Sequence, residues 1–191
     1  VELRLDRLAA ADLASLLRGR PGRIIVTDRA AREGGHSPRS DAERAARLAD
    51  AVRCGADFVD LETDAGAVLA GVLRREIEAT GAPTRLILSW HDGQGTPSSA
   101  ELATRFERAR GLGADIVKLV TTAHGPDDIA RVLDLHATAR ALGQPLVAFC
   151  MGEQGRESRI RALRLGSVFG FASLEAGAEC APGQLSAAQM R

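Results

Sequence analysis

The chain has 191 residues, 25 acidic and 25 basic side chains, and 45% hydrophobic residues. That length makes one domain, or at most two small ones, with enough apolar residues for a real core. A formal net charge of zero leaves no electrostatic footprint for nucleic acid or an anionic membrane, and no apolar run reaches the ~18 residues of a membrane span.

Apolar strand-like runs alternate with longer helical stretches along the chain. The expected strands are Val1–Leu5, Arg23–Thr27, Asp57–Glu62, Arg85–Trp90, Asp115–Val120, Pro145–Cys150 and Ser167–Ala172. Between them lie amphipathic segments such as Ser40–Cys54 and Ser98–Leu112. Ser40 and Ser98 are expected helix N-caps, and Ser98 with Glu101 has the spacing of a capping box. Gly55, Gly81, Gly111 and Gly143 stand where helices should stop. Strands alternating with helices predict a parallel α/β fold in a single domain, residues 1–191.

Alternation inside the strands adds a second layer. Glu2, Arg4 and Asp6 share one face; so do Phe58, Asp60 and Glu62; so do Ile87, Ser89 and His91; and Lys118 shares a face with Ile116 and Val120. A parallel sheet covered by helices on both sides should be apolar on both faces. One face here carries Glu, Arg, His and Lys near strand C-terminal ends. That predicts a barrel with helices outside and a polar mouth, rather than a doubly wound open sheet, whose glycine-rich phosphate loop is absent from this sequence. Seven strands rather than eight, and an end at Ser186–Arg191 where a closing helix should be starting, predict a barrel short at both ends.

Lys118 lies in the middle of Ala114-Asp115-Ile116-Val117-Lys118-Leu119-Val120. A charged, unpaired lysine inside such a strand costs several kcal/mol, in order of magnitude. A desolvated strand lysine facing a cavity is a candidate Schiff-base former. An edge-strand lysine that snorkels to solvent is the competing reading. Cys54, Cys150 and Cys180 are odd in number and form no CxxC pair, which suits a reducing cytoplasm. His36, His91, His124 and His136 have no metal-ligand spacing, so no structural metal is expected. His124 and His136 read as surface or packing residues, and Cys54 and Cys150 as core. Arg32 and Glu33 read as a solvated loop pair. Arg156, Arg161 and Arg164 read as the solvated face of a short helix. His36 and Arg39, beside Gly34 and Gly35, lie in a loop placed to cover a barrel mouth.

Six segments in order carry the chemistry: Glu2-Leu3-Arg4-Leu5-Asp6, Thr27–Gly35, Phe58–Glu62, Ser89-Trp90-His91-Asp92, Ala114–Lys118, and Met151-Gly152 through Ser158-Arg159 to Ala181-Pro182-Gly183-Gln184. Together they resemble the type I 3-dehydroquinate dehydratases of the shikimate pathway, from Glu2 to Ser186, in the order and spacing of that family's second to eighth strands, which implies that the first β/α unit and most of the last helix are missing. The resemblance implies a (β/α)8 barrel that dehydrates 3-dehydroquinate to 3-dehydroshikimate without cofactor or metal, as a cytoplasmic homodimer with no nucleic-acid or membrane partner. It implies Lys118 as the Schiff-base lysine, His91 as general base and acid, and Glu62 as the carboxylate orienting that histidine. Arg159 matches the arginine that binds the substrate carboxylate. Glu2, Arg4, Arg29 and Gln184 match residues around the substrate's polar groups, and Cys180 takes the place of a substrate-binding serine. Asp28 replaces an apolar or aromatic residue, and Gly93 replaces a phenylalanine after His91-Asp92. Two other readings share these residues: another imine-forming barrel of the aldolase type, and a non-catalytic paralogue that binds a pathway metabolite.

Overall fold

The computed structural model describes residues 1–8, 12–20 and 22–190. Six strands run parallel in chain order: β1 (Glu2–Arg4), β2 (Ile25–Thr27), β3 (Phe58–Glu62), β4 (Arg85–His91), β5 (Ile116–Thr122) and β6 (Leu146–Met151). Helices intervene: α1 (Leu13–Arg18), α2 (Asp41–Arg53), α3 (Ala67–Thr80), α4 (Ser99–Gly111), α5 (Pro126–Ala141) and α6 (Arg156–Arg164). This is the parallel α/β class the sequence predicts. No described helix is long and apolar enough to cross a membrane.

The chain forms two compact units. One is residues 1–90 with 108–116, the other residues 91–107 with 117–191. In the first unit the register sets Leu3, Val26, Val59 and Leu86 side by side, and Leu61 beside Leu88. That face is apolar. The opposite face carries Arg4, Thr27, Asp60 and Ile87 in one row, then Glu62 beside Ser89. The period of two therefore sorts the charges onto one side. Helix α2 packs on β2 and β3 and presents Ala45, Leu48, Ala49 and Val52, all buried. Ser40 caps it as expected: its hydroxyl accepts from the Glu43 amide, and the Glu43 carboxylate accepts from the Ser40 amide at 2.8 Å. Cys54 ends that helix as a half-buried cap rather than a core residue.

In the second unit β5 and β6 pair so that Lys118, Val120 and Thr122 stand beside Val147, Phe149 and Met151. Helices α5 and α6 pack on β6. His136 is a packing residue: it is buried, with Nε2 at 3.0 Å from the Ala148 carbonyl. Ser98 caps α4 by accepting from the Glu101 amide at 3.3 Å, but the Glu101 carboxylate accepts from Arg105 Nε at 2.9 Å. The left-handed turn after α4 falls at Gly113, not at Gly111, which is still helical.

The seventh expected strand, Ser167–Ala172, does not form. Only Ala172–Ser173 (β7) pairs, with Leu185–Ser186 (β8), in a two-residue parallel ladder. The Val168 amide does reach the Leu146 carbonyl at 3.0 Å, as a strand would begin. The Ser167 hydroxyl then turns back onto the Phe169 carbonyl at 3.1 Å, and Gly170 lacks a side chain to pack on a sheet.

Candidate active site

In the first unit, strand ends and the loop after β2 build a buried ionic cluster. Arg29 is its hub. Nη1 donates to Glu62 Oε1 at 3.0 Å and to Ser89 Oγ at 2.7 Å, and Nη2 pairs with Asp60 Oδ2 at 2.9 Å. Burial works against the Arg29 charge, yet Asp60 and Glu62 outweigh it and raise its pKa. Glu62 Oε1 also accepts from the Ala30 amide at 3.0 Å, and Oε2 accepts from Arg44 Nη1 at 2.5 Å. Two residues expected to have separate roles, Arg29 and Glu62, thus form one salt bridge. Gly35 makes the tight loop possible, because a Cβ there would sit 2.0 Å from the Arg29 carbonyl oxygen.

Arg4 is held by a two-pronged pair with Asp6, both contacts 2.8 Å. Burial would raise the Asp6 pKa, but the Arg4 fork and the His36 and Arg29 amides hold it down at about 2. Glu2 accepts from Thr27 Oγ1 at 2.8 Å. Asp28 is fully buried and pairs with Arg47 of α2 at 2.6 Å, so its departure from the family pattern brings its own counter-charge. His36 is exposed, and its amide, not its ring, anchors the loop to Asp6 at 3.0 Å.

The expected solvated pair Arg32–Glu33 is not present. Arg32 pairs with Asp41 at 2.8 and 3.0 Å, while the Glu33 side chain is 4% exposed, with an oxygen 4.0 Å from Arg29 Nη1. Burial pushes the Glu33 carboxyl up to about 8; Arg29 opposes that rise, and Glu62 and Asp60 add to it. The folded state therefore binds this proton more tightly than the unfolded chain, whose ordinary value is 4.5. The stability it contributes is complete below pH 4.5 and is lost as pH climbs through about 8. Urea unfolding at pH 5 and pH 9 should show wild type losing, on the order of a few kcal/mol, more stability than Glu33→Gln over that range. Equal losses in the two proteins would show that Glu33 carries no such proton.

In the second unit, Lys118 is 5% exposed, and its Nζ stands 4.4 Å from the centre of the Phe171 ring. It does not snorkel from a strand edge. Arg159 lies 4.6 Å above the Phe149 ring, and the Phe149 and Phe171 centroids are 6.2 Å apart. Arg159 is 3% exposed, donates from Nη2 to the Pro182 carbonyl at 3.1 Å, and has no hydrogen-bond acceptor at Nε. Burial pushes its guanidinium down to about 10, with Cys150 opposing. A buried cation with an unsatisfied donor is built to receive an anion.

The Pro182-Gly183-Gln184 turn closes on the end of β6: the Gly152 amide donates to the Pro182 carbonyl at 3.2 Å, and a Cβ at Gly183 would meet the Gly152 oxygen at 2.1 Å. Gln184 Oε1 accepts from the Cys180 amide at 2.7 Å. The exposed Cys180 thiol points to the Ala178 carbonyl at 3.7 Å, so the main chain, not the thiol, anchors Gln184. His91 ends β4, and Asp92 fixes the next turn by accepting from the Gln94 and Gly95 amides at 2.8 and 3.2 Å. A Cβ at Gly93 would meet nothing within 4 Å, so close packing of the main chain is not what requires glycine there. Arg156 and Arg161 do lie on a solvated helix face, paired with Glu153 and Glu157 at 3.0 and 2.8 Å.

In each unit parallel strands carry ionisable side chains, with Asp60, Glu62 and the loop residue Arg29 in the first and the strand-end His91 and the buried Lys118 in the second. That defines the class: an α/β protein with ionisable groups on its strands and at their ends. A family profile described as Type I 3-dehydroquinase matches residues 1–191. The 3-dehydroquinate dehydratase of Desulfotalea psychrophila is 34% identical over 191 residues, covering all of this chain and 84% of its own. That of Thermococcus gammatolerans is 38% identical over 190 residues, with the same coverage. The crystal structure of 3-dehydroquinate dehydratase from Geobacillus kaustophilus superposes with a TM-score of 0.80 at 32% identity, over 88% of this chain and 65% of that one. The chain belongs to the type I 3-dehydroquinase family.

Proposed function

We propose that this protein dehydrates 3-dehydroquinate to 3-dehydroshikimate through an imine on Lys118. The observation that carries the reading is Lys118 itself: an amine 5% exposed in the middle of a parallel strand, against an aromatic ring. In the scheme, the neutral amine adds to the C3 carbonyl and water leaves, giving an iminium. His91 takes the C2 proton, and the electron pair flows into an enamine. The enamine expels the C1 hydroxyl, protonated by His91 as it departs as water. Hydrolysis of the conjugated iminium returns Lys118 and releases the product. The net change is loss of one water.

Glu62 orients His91 and supports the imidazolium in this scheme, as a triad acid does. Glu33 joins it for a specific reason: a carboxyl held as the acid up to about pH 8 can exchange a proton near neutrality. A Glu33→Gln protein with wild-type kcat would remove it from the scheme. Glu2, Arg4, Arg29 and Gln184 surround the substrate's polar groups, with Cys180 anchoring the turn that carries Gln184. The three free cysteines suit a reducing compartment, so we place the enzyme in the cytoplasm, as the homodimer the resemblance implies.

Arg159 receives the substrate carboxylate. Arg159→Met should raise KM by about 10²-fold or more, in line with losing a charged hydrogen-bonded contact and leaving a buried charge unpaired. Its kcat at saturation should fall much less. The assay follows the ultraviolet absorbance of the conjugated product. Wild-type protein that is folded yet leaves 3-dehydroquinate unchanged would defeat the proposal, and turnover of aldol substrates instead would favour an aldolase-type imine former.

A further inference from the structure

We infer that Arg44 is a positioning residue for this reaction: from α2 it clamps the Glu62 carboxylate and the Asp28 carbonyl into one geometry. The inference rests on the reading that Arg29 and Glu62 serve the substrate. Arg44 is 0% exposed, yet it lies on the buried stripe of α2 with Ala45, Leu48, Ala51 and Val52. An arginine in an apolar stripe breaks the helix pattern, and such breaks concentrate at functional sites. A well-packed apolar side chain there would avoid desolvating a charge.

Its contacts show what the charge accomplishes. Nη1 donates to the Asp28 carbonyl at 2.7 Å and to Glu62 Oε2 at 2.5 Å, and Nη2 donates to Asp41 Oδ1 at 2.8 Å. One guanidinium thus ties the end of β3, the residue before Arg29 and the first turn of its own helix. The planar fork suits three acceptors in different directions, which a lysine ammonium on one flexible stem does not match. Arg47, three residues along the helix, holds the Asp28 carboxylate at 2.6 Å, so α2 grips residue 28 by main chain and side chain together. With Arg44 behind it, Glu62 keeps Oε1 on Arg29 and on the Ala30 amide. Without it, the carboxylate can rotate, and both Glu62 and Arg29 lose their shared alignment.

The test uses the full chain with 3-dehydroquinate. Arg44→Met should lower kcat by about 10–100-fold, the scale of a sub-ångström misalignment of catalytic groups, while KM changes less than about threefold. Arg44→Lys should recover part of that loss. In a double-mutant cycle, Arg44→Met should cost little further kcat in a Glu62→Gln background, because its effect passes through Glu62. A folded Arg44→Met protein with a lower melting temperature and wild-type kcat would overturn the inference, as would full additivity with Glu62→Gln. If Arg44→Met does not fold, the same cycle is run with Arg44→Lys and read by the same criteria. Absence of turnover in wild type would instead defeat the functional reading. Crystal structures of wild type and Arg44→Lys would then decide the clamp by whether the Glu62 carboxylate leaves Arg29 and the Ala30 amide or stays.

Discussion

Lys118→Ala is expected to lose turnover of 3-dehydroquinate by roughly 10⁴-fold or more, the scale on which removing a covalent nucleophile acts. Alanine fills less space against Phe171, but the strand ladder from Val117 to Thr122 is made by main-chain groups and stays intact. The protein should therefore fold, as thermal unfolding would show. Substrate binding should survive in part, since Arg159 and Gln184 stand on other elements. Without the amine no iminium forms, and the C2 proton keeps its ordinary ketone acidity. Steady-state rates and ligand-induced thermal shifts measured on one preparation separate lost chemistry from lost binding. A rate within tenfold of wild type would rule out imine catalysis at this position.

His91→Ala should come second in size, lowering kcat by about 10²–10⁴-fold, the usual contribution of a positioned acid–base group. The pattern should differ from that of Lys118→Ala. The amine remains, so borohydride still captures an adduct, though more slowly because His91 also assists imine formation and hydrolysis. The pH dependence of kcat should lose the limb that reports the histidine, since imidazole titrates near neutrality. Stability should change little: His91 is half-exposed at a strand end, and the following turn is held by Asp92. A His91→Ala protein with an unchanged pH profile would move the base elsewhere, and Glu33 would be the first group to examine.

The sequence made some of this visible and hid the rest for physical reasons. Period-two alternation is local, so the polar face with Arg4, Asp60, Glu62 and Ser89 could be read from single strands, and the ladder register confirms it. The Ser40 N-cap is also a local signal, read from a serine at the start of an amphipathic stretch, although the full capping box forms there with Glu43 and not at Ser98, where the spacing suggested one. Glu33 escaped because it follows Arg32 in a short 3-10 turn with no periodicity to tell which side chain folds inward. Arg44 escaped because an arginine in an amphipathic helix is read as polar face; its partners at residues 28 and 62 are near only in three dimensions. The failed strand at Ser167–Ala172 shows the opposite error. Its residues have strand character, but pairing needs a continuing partner ladder, and only one amide finds it.

The most direct measurement incubates the protein with 3-dehydroquinate, adds borohydride, and determines the intact mass and then the modified peptide. The account predicts one reduced adduct per chain, on the peptide carrying Lys118, together with loss of activity. Consumption of substrate with no adduct, or an adduct on any other residue, would contradict it.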